Sequence, residues 1–172
     1  MKRLLLPIFT IFILASCSHY ESATPLGLPE KSSVEESLLG EWILSDEKKE
    51  NETSGFLNVM AFNHHEYLVQ LYELADSSEY IESVLNLRMF STQIKKDNYF
   101  NLIFLGPDAE SSYMIYRLKE ISGNRYKLMY LSKDKFELKF ENPESFKKYV
   151  ETNQKEFNKA FLPEGILSRK ID

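Results

Sequence analysis

The chain has a single cysteine, Cys17, among its 172 residues. Without a second cysteine it can form neither an internal disulfide nor a Cys-x-x-Cys redox pair, and a zinc site built from several thiolates is excluded. No apolar run reaches the length of about 20 residues that a membrane-spanning helix needs. The fold must therefore be stabilised by packing of the apolar side chains, which make up 43% of the sequence.

Motifs of well-known enzyme classes are also missing. The sequence contains no Gly-x-Ser-x-Gly elbow, no Gly-x-x-x-x-Gly-Lys phosphate loop, no Gly-x-Gly-x-x-Gly and no His-Glu-x-x-His. Carboxylates are plentiful, as at Glu35-Glu36 and between Glu47 and Glu52, but such runs are typical of solvated loops. We therefore predict that the protein is not an enzyme and has neither catalytic residues nor a cofactor.

The first residues have the pattern of a secretory signal. Lys2 and Arg3 precede an apolar stretch from Leu4 to Ala15, and small residues follow before Cys17. The stretch is too short to cross a hydrocarbon core about 30 Å thick. Residues 1–16 are therefore predicted to be a signal peptide that is removed.

The segment Leu14-Ala15-Ser16-Cys17 resembles the lipobox of bacterial lipoproteins. The resemblance implies cleavage before Cys17, a thioether lipid on its sulfur and acylation of its amino group, for example with palmitate. In the sorting scheme of enteric bacteria, Ser18 at the next position favours the outer membrane. We therefore expect a lipid-anchored protein of the bacterial envelope, facing either the periplasm or the exterior. The alternative is an ordinary secreted protein.

The stretch that follows lacks apolar periodicity and is rich in turn-forming residues such as Pro25, Gly27 and Pro29. Residues 17–37 are therefore predicted to form the lipidated cysteine and a flexible tether. Residues 38–172 have the length of one ordinary domain.

Within that domain, apolar residues mostly alternate with polar ones, which is typical of strands with one face turned inward. Short turn signals separate the strands, so antiparallel neighbours are expected. We predict eight strands, at Gly40–Ser45, Phe56–Asn63, Glu66–Leu74, Leu85–Lys95, Tyr99–Leu105, Tyr113–Glu120, Tyr126–Ser132 and Lys135–Phe140.

An amphipathic helix is predicted after the last of these strands. Asn142 has the chemistry of a helix cap, and Pro143 suits the first helical position. Pro163 and Gly165 are predicted to end the helix, and residues 166–171 to add a short edge segment. The helical spacing predicts an apolar face made of Phe146, Tyr149, Val150, Asn153, Phe157 and Phe161.

The fold class is therefore mainly β, an antiparallel meander of about eight strands with one C-terminal amphipathic helix. Gly40-Glu41-Trp42 resembles the Gly-x-Trp of lipocalins. The resemblance implies a closed barrel in which Trp42 plugs one end beneath a basic side chain from a late strand, with Lys139 and Arg117 as candidates. The alternative is an open, strongly curved sheet packed on the helix.

A barrel of eight strands is either filled by side chains or just wide enough for one small ligand. If a cavity is present, the candidate ligand-binding residues are Trp42 and the polar residues that fall within predicted strands. These polar residues are Asn58, Asn86, Arg88 and Asn101. The alternatives are that the polar residues face solvent and that Trp42 is simply a core residue.

Metal and nucleic-acid binding are not predicted. His64-His65-Glu66 is the one compact group of metal-ligand types in the sequence, but neighbouring strand residues point to opposite faces and no third ligand is recognisable. The net charge of −5 disfavours nucleic acid as a partner. The N-terminal lipid is expected to bind the membrane. For the domain itself, the sequence leaves two kinds of partner open. A non-enzymatic interaction module would bind an envelope protein, and a lipocalin-like carrier would bind an apolar small molecule.

Overall fold

A computed structural model describes residues 19–48, 52–75, 80–106 and 112–170. The predicted signal peptide and Cys17 lie outside these residues. The described part contains nine strands, β1 to β9, and one α-helix, α1. Their bounds are β1 Glu21–Ser22, β2 Gly40–Ser45, β3 Thr53–Ala61, β4 Tyr67–Leu74, β5 Ile81–Ile94, β6 Asp97–Phe104, β7 Tyr113–Ser122, β8 Arg125–Leu131, α1 Pro143–Lys159 and β9 Phe161–Arg169.

The eight strands from β2 to β9 form a closed antiparallel barrel. Each strand from β2 to β8 pairs with the next along the chain, and β9 pairs with both β8 and β2. The closure is seen at Trp42, which is paired with Leu57 on β3 and with Arg169 on β9. The short strand β1 pairs with the beginning of β7. The prediction of a mainly β fold with one C-terminal helix is confirmed, and the barrel rather than the open sheet is observed.

Strand β9 differs from the predicted short edge segment at residues 166–171. It begins at Phe161 and has a hydrogen-bonded neighbour on each side, because the helix returns the chain to the gap between β8 and β2. Gly165 lies where β2 approaches most closely: a Cβ there would come within 2.6 Å of the Ser45 carbonyl oxygen. Gly165, predicted to help end the helix, instead permits barrel closure.

The predicted strand Lys135–Phe140 was wrong. This segment has no ladder partner and runs as an irregular connection between β8 and α1. Its alternation has another cause, because Phe136 is buried against the Phe146 and Phe157 rings of the helix. Phe140 also packs on the Phe146 ring, whereas Leu138 between them is 46% exposed. Packing against a helix thus accounts for the two phenylalanines of the period-two pattern but not for Leu138.

Helix α1 begins as predicted. The Asn142 side-chain oxygen accepts a hydrogen bond from the Ser145 backbone N–H at 2.9 Å, and Pro143 occupies the first turn. The helix ends at Lys159, before Pro163, which belongs to β9. Of the residues predicted for its apolar face, Phe146, Val150 and Phe157 are buried on the helix. The prediction of Phe161 as a helix residue was wrong, because it is buried as the first residue of β9.

The segment predicted to be a flexible tether packs on the barrel from residue 19 onward. Tyr20 is 4% exposed and Leu26 is fully buried. The Leu26 backbone N–H donates to the Asn101 side-chain oxygen at 2.7 Å, and the Val34 backbone N–H donates to the His64 carbonyl at 3.2 Å. The prediction was wrong because a few widely spaced apolar side chains, which form no periodic pattern, hold the segment together with hydrogen bonds to the barrel.

Two apolar cores result, one on each side of the barrel wall. The lumen core lies inside the barrel and is formed mainly by Leu, Val and Met side chains. The outer core lies between the outer surface of β5 to β9, the helix and the N-terminal segment, and its members include Tyr20, Leu26, Tyr99, Ile115, Leu131, Phe136, Phe146, Val150, Phe157 and Phe161.

Candidate functional site

The barrel lumen is lined by alternate residues of the strands, and it is not filled. It contains a cavity of about 300 Å³, at the lower end of the range of about 300–1,000 Å³ usual for ligand sites. Several lumen-facing side chains are only partly buried although they point into the barrel, because no protein atom covers them from inside. These side chains are Leu44, Leu57, Leu71, Leu85, Leu102, Tyr116, Leu118 and Leu128.

One end of the barrel is closed around Trp42, which is 3% exposed. The Trp42 indole N–H donates to the Leu38 carbonyl at 3.0 Å, so the short 3₁₀-helix that contains Leu38 is held across this end. The Tyr67 hydroxyl lies under the same segment and accepts a hydrogen bond from the Glu35 backbone N–H at 2.7 Å. Burial raises the pKa of Tyr67 above its ordinary value. The 3₁₀-helix is therefore held across this end of the barrel by hydrogen bonds from both sides of the segment.

Arg169 lies over the Trp42 ring, with its guanidinium carbon 4.7 Å from the ring centroid. Its Nη2 also donates to the Ser37 carbonyl. Gly40 has a φ of +116°, and a Cβ on it would come within 3.2 Å of the Arg169 Nη1, so this position favours glycine. A basic side chain from a late strand thus covers the tryptophan, as the lipocalin resemblance implies.

The residue that covers Trp42 is neither of the two candidates named from the sequence. Arg117 lies on the outer face of the barrel, where its Nη2 donates to Asp97 Oδ1 at 3.0 Å. Lys139 is exposed in the connection before the helix. Both were chosen without knowing that β9 is a full strand of the barrel, which places Arg169 opposite Trp42.

The other end of the barrel is the mouth of the cavity. Its rim carries His19, Glu21, Glu73 and Glu164. His19 Nε2 lies 3.2 Å from Glu164 Oε2, and the imidazole packs 4.2 Å from the Tyr130 ring centroid. Glu21 accepts a hydrogen bond from the Ser112 hydroxyl at 3.1 Å, and Glu73 accepts one from Ser83. Among the described residues that line the cavity there is no lysine or arginine, so the mouth is acidic.

Of the five predicted ligand-binding residues, only Trp42 faces the lumen. Asn58, Asn86 and Arg88 lie on the outer face: Asn86 accepts a hydrogen bond from Gln70 at 3.1 Å, and Arg88 pairs with Glu66 at 2.5 Å. Each of the three is out of phase with the inward leucines and valines of its own strand. The prediction that these polar residues could converge inside the barrel was therefore wrong.

Asn101 is also on the outer face, but it is fully buried. Its amide donates to the Thr92 hydroxyl at 2.9 Å, and its oxygen accepts from the Leu26 backbone N–H at 2.7 Å. These bonds hold the N-terminal segment on the barrel wall. Asn101 is thus a structural residue.

The His64-His65-Glu66 group lies in the turn between β3 and β4. The Glu66 carboxylate binds Arg88 and the Asn63 amide, and His65 Nδ1 is 2.7 Å from the Ser32 carbonyl oxygen. In the described ranges, no three His, Cys, Asp or Glu side chains come together as a metal site.

The sequence analysis missed the aliphatic lining and the acidic rim. The lining could have been found from the period-two pattern, because the inward leucines of β4 and β5 are the apolar members of each alternation. The rim could not, because His19, Glu21 and Glu164 come from segments predicted to be a tether and the end of a helix.

Among the described residues, no helix has the length and apolar character needed to span a membrane. Comparison of the chain with protein-family models, with curated proteins and with solved structures finds no match.

Proposed function

We propose that the protein is a lipid-anchored, non-enzymatic binding protein of the bacterial envelope that holds one apolar small molecule in the barrel lumen, in the manner that the lipocalin resemblance implies. The observation that carries this proposal is the cavity of about 300 Å³ with an aliphatic lining. A purely interaction-based module would gain nothing from an unfilled core, because voids in a barrel lower its stability.

The distribution of polar groups favours an amphiphile. The lumen is lined mainly by leucine, valine and methionine, with the aromatic rings of Phe100, Tyr116 and Tyr126 among them. The charged side chains Glu21, Glu73 and Glu164 lie at the rim. An apolar tail would therefore lie toward Trp42 and a head group at the mouth. Like charges repel, so a neutral or cationic head group fits this rim better than a carboxylate or a phosphate.

Native mass spectrometry tests for a resident ligand. The mature chain carrying Cys17→Ala is produced in a bacterial periplasm and released without detergent. We expect a reproducible added mass that is lost on denaturation and whose extract is an amphiphile.

A fluorescent apolar probe, N-phenyl-1-naphthylamine, tests the location of binding. Leu71→Trp places an indole in the cavity and should abolish probe binding. The matched control, Gln70→Trp, adds the same side chain to the outer face of the same strand and should bind as the unsubstituted protein does. Equal probe binding by the two variants would exclude the lumen as the site.

The anchor is tested separately. In cells, the unsubstituted protein should fractionate with membranes, and Cys17→Ala should move it to the soluble fraction, because acyl chains are what hold such a protein at a bilayer. Continued membrane association of the Cys17→Ala protein would rule out the lipid anchor while leaving the lumen proposal intact.

A further inference from the structure

We propose that the open end of the barrel faces the bilayer that holds the lipid on Cys17, so that the mouth of the cavity lies against the membrane surface. This inference rests on the lipid anchor of the proposed function. It goes further by assigning a membrane-contacting surface and an orientation to the domain.

The first argument is the length of chain between the anchor and the rim. His19 is part of the rim, held by the Glu164 contact and by a β-bridge to Ser132. The Tyr20 backbone N–H donates to the Leu131 carbonyl at 2.8 Å, so the chain is fixed from this point onward. Cys17 is two residues upstream, and two residues span at most about 7 Å.

The closed end lies too far away to meet the same bilayer. Strand β7 runs from the mouth toward the closed end over ten residues, which is about 33 Å along the strand and about 25 Å along the barrel axis at the usual tilt. With a connection of about 7 Å, the anchor keeps the mouth close to the membrane and directs Trp42 away from it.

The second argument is an exposed apolar surface at the same end, which we call the mouth patch. Its six large apolar side chains each have more than a third of their surface exposed and lie near the ends of β3, β5 and β6 that surround the mouth: Phe56, Tyr80, Ile81, Val84, Phe104 and Leu105. Three further large apolar side chains of the described residues are exposed. Phe62, in the turn between β3 and β4, and Ile121, near the end of β7, lie at the closed end, and Leu138 lies in the connection before the helix.

The patch and the anchor act together in this arrangement. The lipid on Cys17 holds the chain at the bilayer, and the mouth patch adds a second apolar contact, which strengthens the attachment. Tyr80 suits the headgroup region because its ring is apolar and its hydroxyl is polar. The carboxylates Glu21, Glu73 and Glu164 at the rim disfavour an anionic surface, so the contact fits zwitterionic headgroups.

The experiment measures contact of each barrel end with the bilayer. The full-length lipidated protein is reconstituted into phosphatidylcholine vesicles that contain lipids spin-labelled near the headgroup. An introduced cysteine is the only free thiol, because Cys17 is the chain's single cysteine and carries the lipid. An NBD fluorophore is attached after Val84→Cys in the mouth patch or, as the matched control, after Asn124→Cys in the exposed turn between β7 and β8 at the closed end.

We expect the spin labels to remove about half of the fluorescence from position 84, because an apolar surface at the interface lies within about 10 Å of the headgroups. Fluorescence from position 124 should not change. Adding phosphatidylglycerol to the vesicles should reduce the quenching at position 84.

Equal quenching at the two positions, or stronger quenching at position 124, overturns the orientation while leaving the lipid anchor and the lumen site standing. Vesicle flotation of the same samples reports the anchor independently. A protein that does not float with the vesicles overturns both the anchor and the orientation, and the probe-binding assay then still decides the lumen site.

Discussion

The two apolar cores are made from different side chains and are packed to different degrees. Inside the barrel, mainly aliphatic side chains leave about 300 Å³ unfilled. Outside it, the rings of Phe136, Phe140, Phe146 and Phe157 pack on one another, with centroids as close as 4.2 Å for the Phe140–Phe146 pair. The contrast indicates that the outer core supplies much of the packing energy, which allows the lumen to stay hollow. Three pairs of substitutions test this contrast.

The largest difference is expected for phenylalanine truncation. Phe146 is fully buried with four aromatic rings around it, whereas Phe100 is 4% exposed and borders the cavity. Phe146→Ala should lower the free energy of unfolding by about 4 kcal/mol and Phe100→Ala by about 2 kcal/mol, because a side chain beside a void loses fewer contacts. Urea denaturation measures both values. Equal losses would mean that the two cores do not differ in packing.

Enlargement of a leucine should also distinguish the cores. Leu131 is buried in the outer core, whereas Leu71 faces the cavity. Overpacking a filled core costs about 1–3 kcal/mol, so Leu131→Trp should lower the thermal midpoint clearly. Leu71→Trp has free volume to occupy and should leave the midpoint nearly unchanged. A comparable fall in both, measured by calorimetry, would contradict the presence of usable space in the lumen.

The smallest difference concerns alkaline pH. Burial raises the pKa of Tyr20 and Tyr99 in the outer core, and of Tyr67 at the closed end of the lumen. The folded protein then keeps protons that the unfolded chain releases at about pH 10. Below about pH 10, these tyrosines should not change the free energy of unfolding with pH. Above about pH 10, each of them should lower it by about 1.4 kcal/mol per pH unit.

Variants assign this alkaline loss to the two cores. The double variant Tyr20→Phe/Tyr99→Phe should remove more of the fall than Tyr67→Phe alone, as measured by urea denaturation between pH 8 and pH 11. If Tyr67→Phe removes more of the fall than the double variant, the tyrosine at the closed end is the main cause of the loss of stability at high pH.

Local sequence patterns were sufficient to predict seven of the nine strands near their observed positions. They were sufficient because strands such as β4 and β8 have one side facing the lumen, so burial itself has a period of two. The same rule misled at Phe136 and Phe140, which pack against a helix rather than in a sheet. It also underestimated β9, since Pro163 and Gly165 resemble a helix end when the neighbouring β2 is not known.

The candidate site was less predictable than the fold. The alternation of apolar and polar residues along a strand indicates which side chains point into the barrel. It could have excluded Asn58, Asn86 and Arg88 as lumen residues. It does not tell whether inward side chains fill the space, because the volume depends on the tilt and spacing of all eight strands. The rim depends on contacts between residues far apart in sequence, such as His19 and Glu164.

The pairing of β9 with β2 has a consequence for the order of events during folding. These are the last and the first strands of the barrel, and the helix separates β9 from β8 along the chain. A chain that emerges N-terminus first from a ribosome or a secretion pore has unpaired edges on β2 and β8 until Phe161–Arg169 is available. Unpaired edges invite pairing with other chains, and contacts between distant parts of the sequence form slowly. The final nine-residue strand therefore determines how long the unfinished barrel is open to aggregation.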